Sequence, residues 1–529
     1  MSRPVSLVAA VFALSFASAC AGANPPPNVA PTPSQKPDAP PEKPKPEAPD
    51  ATLPGDAEKV PPPPASCQAF QLRKSGLAGT CDEKSTRKSL ALALEKTDAE
   101  ERDALLQNVD GCGSLPPGFV RALRAELAPV KCGDLIVEPL LASPPAGLEP
   151  SLRDTLMGLA YAARAARLVR EPPKLAPPFG KERVNQFVSG PLRQWIEGQA
   201  KAIYSVSLHG SNLEGYGKGI VAVEAGLADL RFVEVARNAP VPDEMAKDAE
   251  LKEAYLAALE QALEPRKNRG RDAALVGLKK LADEGVIDDP RVTRARKLLS
   301  QVYAGRRIDA LDSLLVPSLP AQSGKSELET LALGLPTPYA ERLLGNEKLD
   351  TPILRALLER GLPKGPHKKL EADRKLGPEA RRLYARALVR LGQRYWRAAD
   401  FSKASSVLGQ GKLAPAQKAE AELLVALATA LATGPKDATE MMAKGVILSD
   451  GVKKLDELAK GKGEVAGMAA FDAARLLEIA RPTTADAAYF KGIAERYEKA
   501  KNELANPAQK QDAADRAKAA SDTAAAVGH

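Results

Sequence analysis

Arg382, Arg386, Arg390 and Arg394 recur at four-residue spacing, and Arg397 continues the row one step later. On an α-helix this spacing puts the guanidinium groups on one face. A row of planar, permanently charged forks is chemistry suited to carboxylates. Glu379 is the acid that the stretch itself offers, near its start, where a helix dipole already favours negative charge. Like charges four residues apart cost about 0.2–0.5 kcal/mol per pair. The row therefore reads as a solvated basic stripe, as a set of pairs with acidic residues of an adjacent helix, or as a grip for an acidic ligand. A second basic cluster, Arg266-Lys267-Asn268-Arg269-Gly270-Arg271, reads as a polar turn between two helices, solvated or touching a phosphate-bearing lipid or glycan.

The chain has three histidines. His529 is terminal, and His367 falls in a Lys/Pro-rich stretch, 364–369, that reads as a surface turn. His209 lies in Ser205-Val206-Ser207-Leu208-His209-Gly210-Ser211-Asn212, followed by Gly215, Gly217 and Gly219. A glycine-rich loop ahead of a helix, here Lys218 to Arg237, offers amide donors to an anion. Lys218 is followed by Gly219, however, where a phosphate-binding loop needs Ser or Thr, and no strand precedes it. A structural turn is the plainer reading. Gly-x-Ser-x-Gly and His-Glu-x-x-His are missing, and carboxylate pairs such as Asp288-Asp289 suit helix caps. The chemistry expected is binding without catalysis, cofactor or metal.

Cys67, Cys81, Cys112 and Cys132 cluster in one region, and no cysteine follows them. An even, localised set in an exported protein predicts two disulfides. Three connectivities exist, and the shortest loops favour Cys67–Cys81 with Cys112–Cys132. A four-cysteine zinc site is the other use of such a set, but the pairs lack its close spacing. The fifth cysteine, Cys20, follows a short positive segment (Met1, Arg3), a 12-residue apolar run from Val5 to Phe16, and the small residues Ala17-Ser18-Ala19. That run is too short to span a bilayer permanently, and the layout predicts a secretory signal. Ala-Ser-Ala-Cys resembles a bacterial lipobox, with Ala17 where that family usually carries Leu. The resemblance implies cleavage before Cys20 and acylation of its thiol. Ala21 and Gly22, with no Asp after the cysteine, resemble the outer-membrane pattern of Gram-negative bacteria. An ordinary signal peptide with an incidental cysteine is the alternative. Export, with a net charge of only +8, argues against nucleic acid as a partner and for proteins, anionic lipids or glycans.

Residues after the anchor, to about 65, are too rich in proline and too poor in apolar side chains to fold, so they predict a disordered tether. Its roughly 45 residues reach up to about 140 Å as polyproline II and about 40 Å as a coil. Aromatics make up only 4% of the chain while Ala and Leu abound, a composition of closely packed helices. Asp248 to Glu264 carries Leu251, Tyr255, Leu259 and Leu263 on one face, and Pro265 is expected to stop it. Asp289-Pro290 and Thr351-Pro352 each start a helix, the first with a Val292, Ala295, Leu299, Val302 stripe and the second ending at Gly361. Pro317, Pro320 and Gly324 read as a hinge.

From Ala385 onward, Leu391-Gly392, Tyr395, Phe401, Ala404, Leu408 and Pro415 resemble a tetratricopeptide unit, departing from it at Leu388 and Gly411. Gly392 and Ala404 would let two helices approach closely, and Asp400 would serve the turn between them. Phe490, Ile493, Ala494 and Tyr497 form a fainter echo, after which Asn506-Pro507 opens an Ala-rich last helix. In the register this resemblance implies, Arg386, Arg390, Gln393 and Arg397 fall on or near the concave, ligand-gripping face, and the candidate ligand-binding residues are Arg386, Arg390, Arg394 and Arg397. The fold expected is all-α, stacked helical hairpins (a tetratricopeptide-like α-solenoid) behind the tether. Its expected divisions are a signal peptide (1–19), anchor and linker (20–65), a disulfide-bearing helical region (66–147), a middle helical domain (148–325) and the repeat-like array (326–529). The function expected is a lipid-anchored, extracytoplasmic interaction protein holding a protein partner, one with an acidic segment, or an envelope polymer near the membrane. A self-associating structural lipoprotein and an enzyme using His209 are the rival readings.

Overall fold

Aspartates mark many of the helix starts in a computed structural model of the chain, which describes residues 60–72, 81–168, 173–178, 180–238, 241, 246–303, 305–316, 326–345, 347, 350–373, 376–409, 415–432, 434–446, 448 and 452–528. Asp82, Asp98, Asp289, Asp350, Asp437 and Asp486 each accept a hydrogen bond from a first-turn amide, as does Asn506. The first half contains α1 (Glu83–Leu94), α2 (Ala99–Gln107), α3 (Phe119–Leu127), α4 (Gly133–Ala142), α5 (Pro150–Leu168), α6 (Lys181–Phe187), α7 (Arg193–Ser211), α8 (Gly215–Arg237) and α9 (Ala249–Asp283). The second contains α10 (Pro290–Val302), α11 (Glu327–Gly334), α12 (Thr337–Leu344), α13 (Thr351–Arg360), α14 (Lys364–Ala372), α15 (Pro378–Tyr395), α16 (Ala398–Gly409) and α17 (Pro415–Ala432). α18 (Ala438–Lys444), α19 (Lys453–Ala459), α20 (Glu464–Ile479), α21 (Ala487–Glu503) and α22 (Pro507–Val527) complete it. Among the described residues the fold is all-helical, without a strand, and no helix is long and apolar enough to cross a membrane. The signal segment, Cys20, most of the tether, the Pro317 to Gly324 stretch, Gly411 and His529 lie outside the described residues.

The two disulfides correct the expected pairing: Cys67 joins Cys132, and Cys81 joins Cys112, with Cα–Cα distances of 5.2 and 5.1 Å. Loop length alone favours near neighbours. Here the 3-10 turn at Ala65–Phe70 packs against the one at Val130–Cys132, so the fold itself brings the distant pair together. Buried ion pairs tighten the same region. Arg124 donates to both oxygens of Asp103 and to the Phe70 carbonyl, and Arg121 and Arg124 share Asp110. Arg167 clasps Asp134 and the Pro61 carbonyl, which fixes the point where the chain enters the folded body.

Two helix boundaries also differ from expectation. The turn between α7 and α8 is confined to residues 212–214, because α8 begins at Gly215 and runs through Gly217 and Gly219. A Cβ on Gly217 would lie 2.0 Å from the Asp154 carbonyl oxygen, and one on Gly219 would lie 2.9 Å from the Leu281 side chain. These glycines let α8 press directly on α5 and α9, which outweighs glycine's cost of about 1 kcal/mol within a helix. Pro265 does not end its helix either: α9 continues for 35 residues from Ala249 to Asp283. Its long packing on α8, with Leu259 and Leu263 against Phe232 and Val233, offsets the hydrogen bond that proline removes, worth about 3 kcal/mol with its steric clash.

The Arg266–Arg271 cluster is therefore within a helix, not in a turn. Arg269 forks onto Asp229 at 2.6 and 2.5 Å, Lys267 pairs with Glu264, and Lys267 and Arg271 lie over the Tyr303 ring. Caps at Asp289 and Asp350 start α10 and α13 where Pro290 and Pro352 place them, and Val292, Ala295, Leu299 and Val302 are all buried. One apolar core runs from Cys67 to Ala524. The segment after α10 is tied to the last helices by Asp472, fully buried in α20, which accepts from the Leu315 amide at 2.7 Å.

Candidate functional site

α15 carries the arginine row, and its register follows from the residues on its other faces. Leu383, Tyr384, Ala387, Leu388, Leu391 and Tyr395 are buried, so the arginines between them reach outward from the core onto neighbouring helices. At the end of α15, Trp396 adopts a left-handed conformation (φ 54°) and its indole donates to the Ile308 carbonyl at 2.8 Å. This turn lets α16 fold back at once. A Cβ on Gly392 would lie 2.3 Å from the Phe401 ring, so glycine is needed for the two helices to meet.

The structure divides the row. Arg382 reaches Glu420 of α17 at 3.0 Å and Glu379 at 3.6 Å. Arg394 pairs with Asp312 at 3.1 Å and donates to the Thr293 hydroxyl. Arg397 meets Asp283 at 3.3 Å and Asp400 at 2.9 Å. Asp400 lies buried inside the first turn of α16, where burial pushes its carboxyl up to about 6. A single solvated stripe is thus replaced, at three of five positions, by pairing with acids of other elements.

Arg386 and Arg390 are the exceptions, with no carboxylate within ion-pair distance among the described residues. Arg390 donates to the backbone carbonyl of Glu359 in α13 at 2.8 Å. Arg386 has neither: its Nε and Nη1 are enclosed and make no hydrogen bond. Arg355 of α13 joins them, its Nε 3.7 Å from Glu359. Burial, then Arg390, with smaller effects from Arg382 and Arg355, brings the Arg386 guanidinium down to about 10, with only Glu359 opposing. Burial likewise lowers Arg390. The cleft between α13 and α15 therefore holds Arg386 short of negative charge, half-buried and reachable by solvent, beside Arg390, whose burial outweighs the nearby Asp288 and Glu359 carboxylates. Two forks at this spacing suit carboxylates of an extended acidic segment.

The other candidates separate from this cleft. His209 sits in the last turn of α7 and stacks on Tyr161, with ring centroids 5.9 Å apart. Its environment is a packing contact, and Gly215, Gly217 and Gly219, the glycines of the alternative anion-binding loop, lie in helix. His367 is not in a surface turn but inside α14, beside Tyr384, with Nε2 2.9 Å from Lys403 Nζ. Arg355 and the His367 surroundings carry no sequence signal, since Arg355 nears Arg386, and His367 meets Tyr384 and Lys403, only through the packing of separate helices. Among the described residues no group of three or more His, Cys, Asp or Glu could hold a metal ion. No protein-family model, curated protein or solved structure matches this chain.

Proposed function

We propose that this chain is a lipid-anchored, extracytoplasmic interaction protein that grips an acidic segment of a partner protein in the cleft between α13 and α15. The observation that carries the reading is Arg386, a cation whose Nε and Nη1 are enclosed without a partner beside Arg355, Arg382 and Arg390. Burying a charge is costly unless something pairs with it, and a bound carboxylate supplies that pair. In this reading the helices of 326–529 stack as tetratricopeptide-like hairpins, with Gly392 packed on Phe401 as the closest local likeness. Acylated Cys20 and the proline-rich tether hold the body near an outer membrane while allowing it to search for its partner. Arg386 and Arg390 make the ligand contacts, and Arg394 and Arg397, engaged with Asp312, Asp283 and Asp400, shape the flank.

Affinity capture from the native envelope, run with wild type, Arg386→Ala and Cys20→Ala, tests this. A partner with an acidic stretch should be recovered by wild type, be lost with Arg386→Ala, and be recovered from the soluble fraction with Cys20→Ala. Equal recovery with Arg386→Ala would remove the cleft from the account.

A further inference from the structure

α14, α15 and α16 enclose a second polar space, a cavity of about 520 Å³, within the size range of small-molecule sites. Its wall combines both charges with an apolar strip. Tyr384 is fully buried, yet its hydroxyl has no hydrogen-bond partner among the described residues. Arg381, one turn earlier on the same helix, also lines the cavity and joins no ion pair among the described residues. These are two unanswered donors, and they suit one carboxylate.

The acidic side of the wall is built differently. Lys403 Nζ lies 2.7 Å from the Glu371 carboxylate and 2.9 Å from Nε2 of His367. Burial, then Lys403, holds the His367 imidazole down to about 4. It therefore stays neutral near pH 7 and accepts from the ammonium, which aims Lys403 at Glu371. Glu371 remains half open to solvent, at 55% exposure, so its carboxylate has room for a further donor. Asp373 lies two residues on in the same wall. Leu376 and Val407 supply the apolar strip.

We propose that this cavity binds a small zwitterion of the amino-acid class. Arg381 and the Tyr384 hydroxyl take the carboxylate, Glu371 and Asp373 take the ammonium, and Leu376 with Val407 covers an apolar side chain. Two acids and two bases balance the wall, so a ligand bearing both charges fits it better than one bearing either alone.

Isothermal titration calorimetry on the full chain, with L-leucine as the probe, tests the proposal. 4-Methylpentanoate and isopentylamine serve as the half-ligands, each keeping one charge. L-leucine is expected to bind saturably, and each half-ligand at least about 10-fold more weakly. Arg381→Ala should weaken L-leucine about 10-fold or more and Tyr384→Phe about 3-fold or more, the net worth of a charged and a neutral hydrogen bond. Tyr384→Phe removes one oxygen from an intact ring, so it probes the site without emptying the core. Arg386→Ala should leave L-leucine affinity unchanged, which keeps this test separate from the acidic-segment reading. Absence of saturable L-leucine binding by wild type overturns the proposal. So does 4-methylpentanoate binding as tightly as L-leucine, or unchanged affinity in a folded Arg381→Ala or Tyr384→Phe chain.

Discussion

Replacing Arg386 with methionine should stabilise the unliganded protein while abolishing its grip on an acidic segment. Methionine keeps the length of the buried stem and removes the charge. A guanidinium brought from 12.5 to about 10 corresponds to roughly 3 kcal/mol of unfavourable burial at 1.36 kcal/mol per unit. Arg386 is only half-buried, so solvent screening reduces this to about 1–2 kcal/mol. The sign is set by the direction of the shift. At pH 7 the group is charged in both states, and the lower folded value means that the folded state holds that charge less readily. Native-state hydrogen exchange reads the effect locally, avoiding a single unfolding transition for so long a chain. Amides of α15 that exchange through subglobal opening should slow about 5–30-fold in Arg386→Met, the equivalent of that energy. Faster exchange across α15 would refute the reasoning, because it would mean that the arginine is satisfied and holds the helix in place.

Peptide mapping without reduction should recover Cys67 linked to Cys132 and Cys81 linked to Cys112; loss of either bridge should cost about 4 kcal/mol by loop-closure entropy. Gly217→Ala should lower the thermal midpoint, by overpacking worth about 1–3 kcal/mol or more, because the new methyl meets the Asp154 backbone carbonyl and not a yielding side chain. The His367 imidazole should titrate near pH 4 by NMR, and Lys403→Met should move it upward. Because the folded value is the lower one, the unfolded chain takes up the proton first between about pH 6.5 and 4. His367 therefore favours unfolding as pH falls through that window, and His367→Gln should flatten this part of the stability profile.

Local signals made much of the helix pattern legible. Asp289-Pro290, Thr351-Pro352 and Asn506-Pro507 start helices where a cap and a first-turn proline put them. The arginine periodicity likewise placed four cations along one helix, with Arg397 just past its end. What local patterns do not hold is the identity of the neighbours. Glu420, Asp312 and Asp283 neutralise Arg382, Arg394 and Arg397 from elements 38 or more residues away only because the tertiary packing brings them there. The same competition explains the other differences. Gly217 and Gly219 are poor helix formers taken individually, but α8 needs them to touch its neighbours, and Gly215 opens the helix with φ +54°. Pro265 is a helix breaker in isolation and is tolerated in a helix packed along its length. Cysteine pairing followed the contact of two 3-10 turns, not the shortest loop.

Fluorescence anisotropy of a labelled hexaglutamate peptide against the full chain tests the central claim most directly. Wild type should bind the peptide, with affinity that falls as salt rises. Arg386→Ala should bind at least about 10-fold more weakly, as expected for a lost charge-assisted contact, while Arg381→Ala binds as wild type does. Equal binding by wild type and Arg386→Ala, or no binding by wild type at low salt, would contradict the account.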